Sequence, residues 1–131
     1  MIIGIGSDLI KIDRIRALLI HNRQRFLQRI LTKDELKILK EGRITGYVAK
    51  RFSAKEAFAK ALGTGIGKHL SFQDIEIFQD PNGKPYFKFS DKLKEFLYNN
   101  YGKEITAHLS MTDESEFAQT FVVIEKKHTD L

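Results

Sequence analysis

A chain of 131 residues with 42% hydrophobic content and ten phenylalanines is long enough for one packed domain, residues 1–131, and too apolar to be disordered. It has no cysteine, which excludes disulfides and thiolate metal sites, so any metal must find oxygen or nitrogen ligands. The net charge of +5 is concentrated, because Lys11, Arg14, Arg16, Arg23, Arg25 and Arg29 meet only Asp13 between Leu9 and Leu31; a localised basic surface suits a polyanion or an acidic protein partner.

The opening residues Met1–Ser7 alternate Ile3 and Ile5 with Gly4 and Gly6, predicting a strand approached closely by another backbone, with Asp8 at or just beyond its end. Asp8 interrupts the apolar run before a signal peptide or membrane span can form, and a soluble, cytoplasmic protein is expected. Ile12, Ile15 and Leu19, then Phe26, Leu27 and Ile30, predict two short helices. Thr32-Lys-Asp-Glu35 is a capping box opening a helix through about Leu39. A long helix follows from about Thr45 to Leu62, stopped by Gly63. Phe72–Phe78 alternates at period two, Asp80-Pro-Asn-Gly83 is a turn, and Pro85–Phe89 returns as the partner strand. Ser90 caps a helix stopped at Gly102, strands over about 105–111 and 117–125 follow, and 126–131 is a polar tail. The order is mixed α+β in a single domain.

Several motifs fail. Gly63-x-Gly65-x-Gly67-Lys68 follows a helix instead of opening one, has Leu62 where a phosphate loop needs glycine, and has His69 in place of Ser or Thr. Gly4-x-Gly6 lacks the third glycine of a dinucleotide fingerprint, with Leu9 in its place. His21, His69, His108 and His128 are too dispersed for a readable metal site. Two acids remain in unusual settings. Glu56 lies on the Ala-rich helix between Phe52 and Lys60, and Asp8 lies by the first strand. Taken alone, Glu56 and Lys60 have the spacing of an exposed ion pair worth about 0.3–0.5 kcal/mol. Two carboxylates with water also suit Mg²⁺, leaving positions open for phosphate oxygens.

The segments GIGSDLIKIDRI (4–15), RFLQRILTKDEL (25–36), RFSAKEAFAKALGTGIGKHLSFQDIEI (51–77), NGKPY (82–86) and HLSMTDESEFAQTFVVIE (108–125) together closely resemble the bacterial holo-acyl-carrier-protein synthases. These are the small single-domain group of the 4'-phosphopantetheinyl transferase superfamily. The resemblance implies that superfamily's α+β fold, a mainly antiparallel sheet packed against a long helix, assembled as a homotrimer with active sites at subunit interfaces. It implies Mg²⁺-dependent transfer of phosphopantetheine from coenzyme A to a serine of apo-acyl carrier protein, releasing 3',5'-ADP, for fatty acid biosynthesis. Asp8 and Glu56 match the family's metal ligands. Glu56, or a water on the metal beside it, matches the base, and Lys60 sits on the phosphates and helps the departing oxygen. Arg51, Lys55 and the turn Asn82-Gly83-Lys84-Pro85 match coenzyme A contacts, joined by Arg43. Arg14 and its basic surroundings, Arg25 among them, match the surface that meets the acidic carrier protein.

This sequence departs from the family at Asp113, where many members carry histidine, so that histidine's role does not transfer; Ser7 replaces a common apolar residue. A basic nucleic-acid-binding module is the rival reading from another class, but no module signature accompanies the charge, and Asp8 and Glu56 would be left without a purpose. No nucleic acid is expected as a partner. The motifs do not separate carriers of fatty-acid synthesis from polyketide or peptide carriers, nor Mg²⁺ from Mn²⁺.

Overall fold

The computed structural model describes residues 1–127, which leaves His128 and the end of the predicted polar tail outside the described residues. Its elements run in the order β1 (Ile2–Lys11), α1 (Ile12–Ile30), α2 (Lys33–Ile38), a 3-10 turn (Glu41–Arg43), α3 (Ile44–Leu62), a second 3-10 turn (Phe72–Asp74), β2 (Ile75–Gln79), β3 (Pro85–Phe89), α4 (Asp91–Tyr101), β4 (Ile105–Asp113) and β5 (Phe117–Lys126). The strands form two antiparallel sheets, β1-β5-β4 and the hairpin β2-β3, where a single sheet was expected. The expected α+β class, antiparallel pairing and long packed helix all stand.

β1 continues past Asp8 to Lys11, because β5 pairs with it as far as Phe117, opposite Lys11. Asp8 therefore lies within the strand and not at its end. Along β1 the even positions Gly4, Gly6, Asp8 and Ile10 turn towards α3, as do Thr120, Val122 and Ile124 on β5. The apolar Ile5 and Leu9 turn outwards and are 62% and 63% exposed. The inward glycines are required by contact: a Cβ on Gly4 would lie 2.9 Å from the carbonyl carbon of Ala61, and one on Gly6 2.7 Å from the Ala61 nitrogen, with the Ala61 and Ala57 carbonyl oxygens nearer still. No side chain fits between β1 and α3. Ala57 and Ala61 answer the glycines from the helix side.

α3 is buried almost all round, because it packs on β1 and β5 with one face and on the hairpin with another. Phe58 meets Phe87 and Phe89 at centroid distances of 5.3 and 4.9 Å. α1 is broken at Asn22 (φ −155°, ψ 79°), whose Oδ1 accepts from the Arg25 backbone N–H. The two predicted short helices are its two halves, joined at this cap. Ile15, Leu27 and Ile30 pack from α1 against Val48 and Ala49, while α4 places Leu93 and Leu97 in a second cluster with Phe58 and Val122.

The capping signals operate as read. Thr32 Oγ1 accepts from the Glu35 backbone and Ser90 Oγ from that of Leu93, while Gly63 ends α3 at φ +80°. In the hairpin turn, Asp80 Oδ1 accepts from the backbone N–H groups of Asn82 and Lys84, with Gly83 at φ +83°. Asn82, Gly83 and Lys84 are exposed on that turn.

Candidate active site

Position on α3 sorts its polar residues into two faces. Tyr47, Arg51 and Lys55 follow one another at a spacing of four, one above the other towards α2 and β2, whereas Glu56 and Lys60 share another face, towards β1. These two faces do different work.

On the β1 side, Lys60 Nζ donates to Asp8 Oδ1 and to the Ser7 carbonyl, each at 3.1 Å. Among the described residues Lys60 pairs with Asp8 and not with Glu56, so the local spacing within the helix does not choose the partner. The backbone of Asp8 is held in turn by Ser53, whose hydroxyl donates to the Asp8 carbonyl at 3.2 Å and shares a 2.8 Å hydrogen bond with Thr120. Ser53 and Thr120 are buried and escaped the sequence reading; a lone serine in an alanine-rich helix gives no signal of which backbone it will fasten.

The Glu56 carboxyl lies above its ordinary value of 4.5, chiefly through burial and next through the Asp8 carboxylate, while Lys60, Arg14 and Arg29 pull it back. Two acids thus share one half-buried cleft, with α1 guanidinium groups in their field. The two carboxylates are oxygen donors of the kind a hard divalent ion takes, with its remaining ligands supplied by water or phosphate. Among the described residues no third His, Cys, Asp or Glu joins them.

A stability consequence follows from the raised carboxyl. The folded state holds the Glu56 proton more tightly than the unfolded chain, so its contribution to stability falls as pH rises from the ordinary value through the folded-state value. Glu56→Gln is expected to raise the melting temperature of the metal-free protein by a few degrees at neutral pH and by nothing at about pH 3.5, where both states are protonated. Thermal unfolding in chelator at the two pH values checks this.

The other face opens on a cavity of about 750 Å³ between the start of α3 and the hairpin, lined by Lys40, Arg43, Lys50 and Arg51, the aromatic rings of Tyr47, Phe78 and Tyr86, and Asp113. The Arg51 guanidinium lies 3.5 Å from the Tyr47 ring centroid, and its Nε, 3.9 Å from Glu35 Oε2, has no hydrogen-bond partner among the described residues. Gln79, also in the wall, donates to the Gly83 carbonyl and so ties the cavity to the turn carrying Asn82, Lys84 and Pro85. Cations beside aromatic rings are what a phosphorylated nucleotide requires. Asp8, Glu56 and Lys60 do not line this cavity.

Lys55 must be reassigned. It is fully buried, and its Nζ donates to Glu35 Oε1 and the Ile30 carbonyl at 2.6 Å and to the Phe72 carbonyl at 3.1 Å. All three ammonium protons are spent inside the protein, leaving none for coenzyme A. Glu35, read as a capping residue, is equally buried and also accepts from the Ile77 backbone N–H at 3.0 Å, joining α2, α3 and β2. His108 lies on β4, 2.7 Å from Glu125, and His69 stacks on Phe96, so neither replaces the missing histidine.

Residues 4–122 match the family model described as the 4'-phosphopantetheinyl transferase superfamily. The chain belongs to this superfamily. A holo-[acyl-carrier-protein] synthase of Ruthia magnifica subsp. Calyptogena magnifica is 48% identical to this transferase over 126 residues, 95% of this chain and 98% of the relative. The crystal structure of the synthase from Neisseria meningitidis superposes with a TM-score of 0.89 at 44% identity, covering 96% of this chain and 100% of that one. The synthase from Bacillus anthracis str. Ames in complex with CoA (3',5'-ADP) does so with a TM-score of 0.80 at 43% identity, over 97% and 99%. No helix of this transferase, among the described residues, is long and apolar enough to cross a membrane.

Proposed function

We propose that the chain, as one domain over residues 1–131, is a cytoplasmic holo-acyl-carrier-protein synthase. It transfers 4'-phosphopantetheine from coenzyme A to a serine of apo-acyl carrier protein for fatty acid biosynthesis. The observation that carries the reading is the facing of Asp8 and Glu56 across a cleft that Lys60 enters, in a chain whose close relatives bear that name.

The reaction is a phosphoryl transfer. The serine oxygen forms a bond to the phosphorus that carries the pantetheine arm, and the bond from that phosphorus to the oxygen of 3',5'-ADP breaks. Asp8 and Glu56 would hold Mg²⁺, which supplies charge neutralisation on the pyrophosphate. Glu56, or a water beside it, takes the serine proton. Lys60 offers its ammonium to the departing oxygen. Lys60→Ala is expected to lower kcat about 100-fold while changing KM for coenzyme A only a few-fold. Steady-state kinetics with coenzyme A varied separates the two, and a change confined to KM would remove Lys60 from the chemistry.

Arg43, Arg51 and the Asn82–Pro85 turn bind the nucleotide end, and Arg14 and Arg25 on exposed faces of α1 receive the acidic carrier. The carboxylate cleft and the cationic cavity lie along different halves of α3, about 10–15 Å apart by helical rise. A homotrimer that joins one chain's cleft to another's cavity would make a continuous site. The outward face of β1 and β5, with Ile5, Leu9 and Phe121 exposed, supports such self-association.

Intact-mass spectrometry of apo-acyl carrier protein, incubated with the enzyme, coenzyme A and Mg²⁺, tests the proposal. One added phosphopantetheine, lost with chelator and with Glu56→Ala, supports it; no transfer to any of several carriers sinks it.

A further inference from the structure

Among the described residues, one carboxylate lines the cationic cavity, that of Asp113. Asp113 ends β4 and is 39% exposed; its Oδ1 lies 3.6 Å from Lys50 Nζ. Its Oδ2 lies 3.7 Å from where a Cβ on Gly46 would stand. Gly46 belongs to the first turn of α3, a helix whose first turn has no acidic residue and whose N-cap makes no side-chain hydrogen bond. An ammonium in the wall of a cavity attracts an anion, and the carboxylate of Asp113 already lies beside that of Lys50.

We propose that Asp113 is a specificity-determining residue that competes with the ligand's own phosphate. Its carboxylate stands in the place an incoming phosphate would take against Lys50, and so reduces the cavity's preference for a 3'-phosphorylated nucleotide over one without that group. The inference rests on reading the cavity as the nucleotide site. Lys40, Arg43 and Arg51 remain for the ligand, so binding is weakened and not abolished. Because Asp113 and Lys50 are partly open to water, the arriving phosphate displaces the carboxylate at moderate cost. The same competition speeds release of a 3',5'-bisphosphate product.

Calorimetric titration of the intact protein with 3',5'-ADP and with 5'-AMP at low ionic strength isolates the effect, since the two ligands differ only in the 3'-phosphate. Asp113→Asn is expected to tighten 3',5'-ADP about fivefold and 5'-AMP less than about twofold. The gain should shrink with added salt and be small in a Lys50→Gln background. Asp113→Glu, which keeps the charge, should behave as the parent protein. A purely structural role for Asp113 would alter both ligands alike, and that result, or weaker binding of 3',5'-ADP by Asp113→Asn, overturns the proposal. A parent protein that prefers 3',5'-ADP with a ratio untouched by Asp113→Asn overturns the proposal alone. Binding of neither ligand by either protein overturns it together with the nucleotide reading of the cavity.

Discussion

Gly6→Ala is expected to cost about 3 kcal/mol or more and to abolish activity, although it adds only one methyl group. The methyl would be driven into the main chain of α3 at Ala57 and Ala61, 2.7 Å from the Ala61 nitrogen. Backbone cannot rotate aside as a side chain can, so α3 must lift from β1 over several residues. Lifting α3 separates Ser53 from the Asp8 carbonyl and Lys60 from the Asp8 carboxylate, and the site is lost with the packing. With total stability of about 5–15 kcal/mol, a loss of this size leaves a substantial fraction unfolded. Urea unfolding checks it, with Gly42→Ala as control: Gly42 is exposed and an added Cβ there meets nothing within 4 Å, so a shift within about 0.5 kcal/mol is expected. Because the obstacle is a main-chain atom, Ala57→Gly should not rescue Gly6→Ala. Parent-like stability of Gly6→Ala would show that the β1–α3 contact is looser than described.

Glu35→Ala should be of the same order, about 3–5 kcal/mol, for a different reason. It leaves the Lys55 ammonium fully buried without its counter-charge and removes the acceptor of the Ile77 backbone N–H. Burial already pushes the Lys55 ammonium below its ordinary value, with Glu35 the main group pulling it back. In Glu35→Ala the folded state therefore binds the proton still more weakly than the unfolded chain does, and stability rises with pH through that window. The penalty measured at about pH 7 should shrink by about pH 9.5, as Lys55 sheds its proton. Adding Lys55→Met to Glu35→Ala should recover part of the loss, a coupling of about 1–3 kcal/mol in a double-mutant cycle. Additive effects would mean that the two charges do not depend on one another. An activity loss from Lys55→Met no larger than its stability loss would agree with a structural Lys55 and disagree with one that touches coenzyme A.

The order of elements was legible in the residues because local chemistry carries it, while the family and its two acids were legible only through motifs that resemble the family's own. Thr32 and Ser90 cap helices with their own side chains, Gly63 and Gly83 take positive φ where the chain must turn, and Asn22 breaks a run that periodicity had already divided. Asp8 and Glu56 were paired by the family resemblance and not by their spacing, which any two acids in the chain could offer. What the long helix does with its lysines was not legible. Lys55 and Lys60 look alike along the chain and lie five residues apart, yet a rotation of roughly 140° around α3 sends one into the protein and the other to the cleft.

The sequence by itself therefore determined this protein's helix and turn boundaries within a few residues, because capping, turn geometry and periodicity act over neighbours, and its class and candidate reacting groups through motifs that resemble a family's. Only the tertiary structure decided that β1 runs through Asp8, that Glu35 and Lys55 neutralise one another in the interior, and that Asp113 lies against Lys50 in the cationic cavity. Each of these depends on which face of one element meets another. Partners 20 to 63 positions apart in the chain become neighbours only when α3 is laid across the sheet.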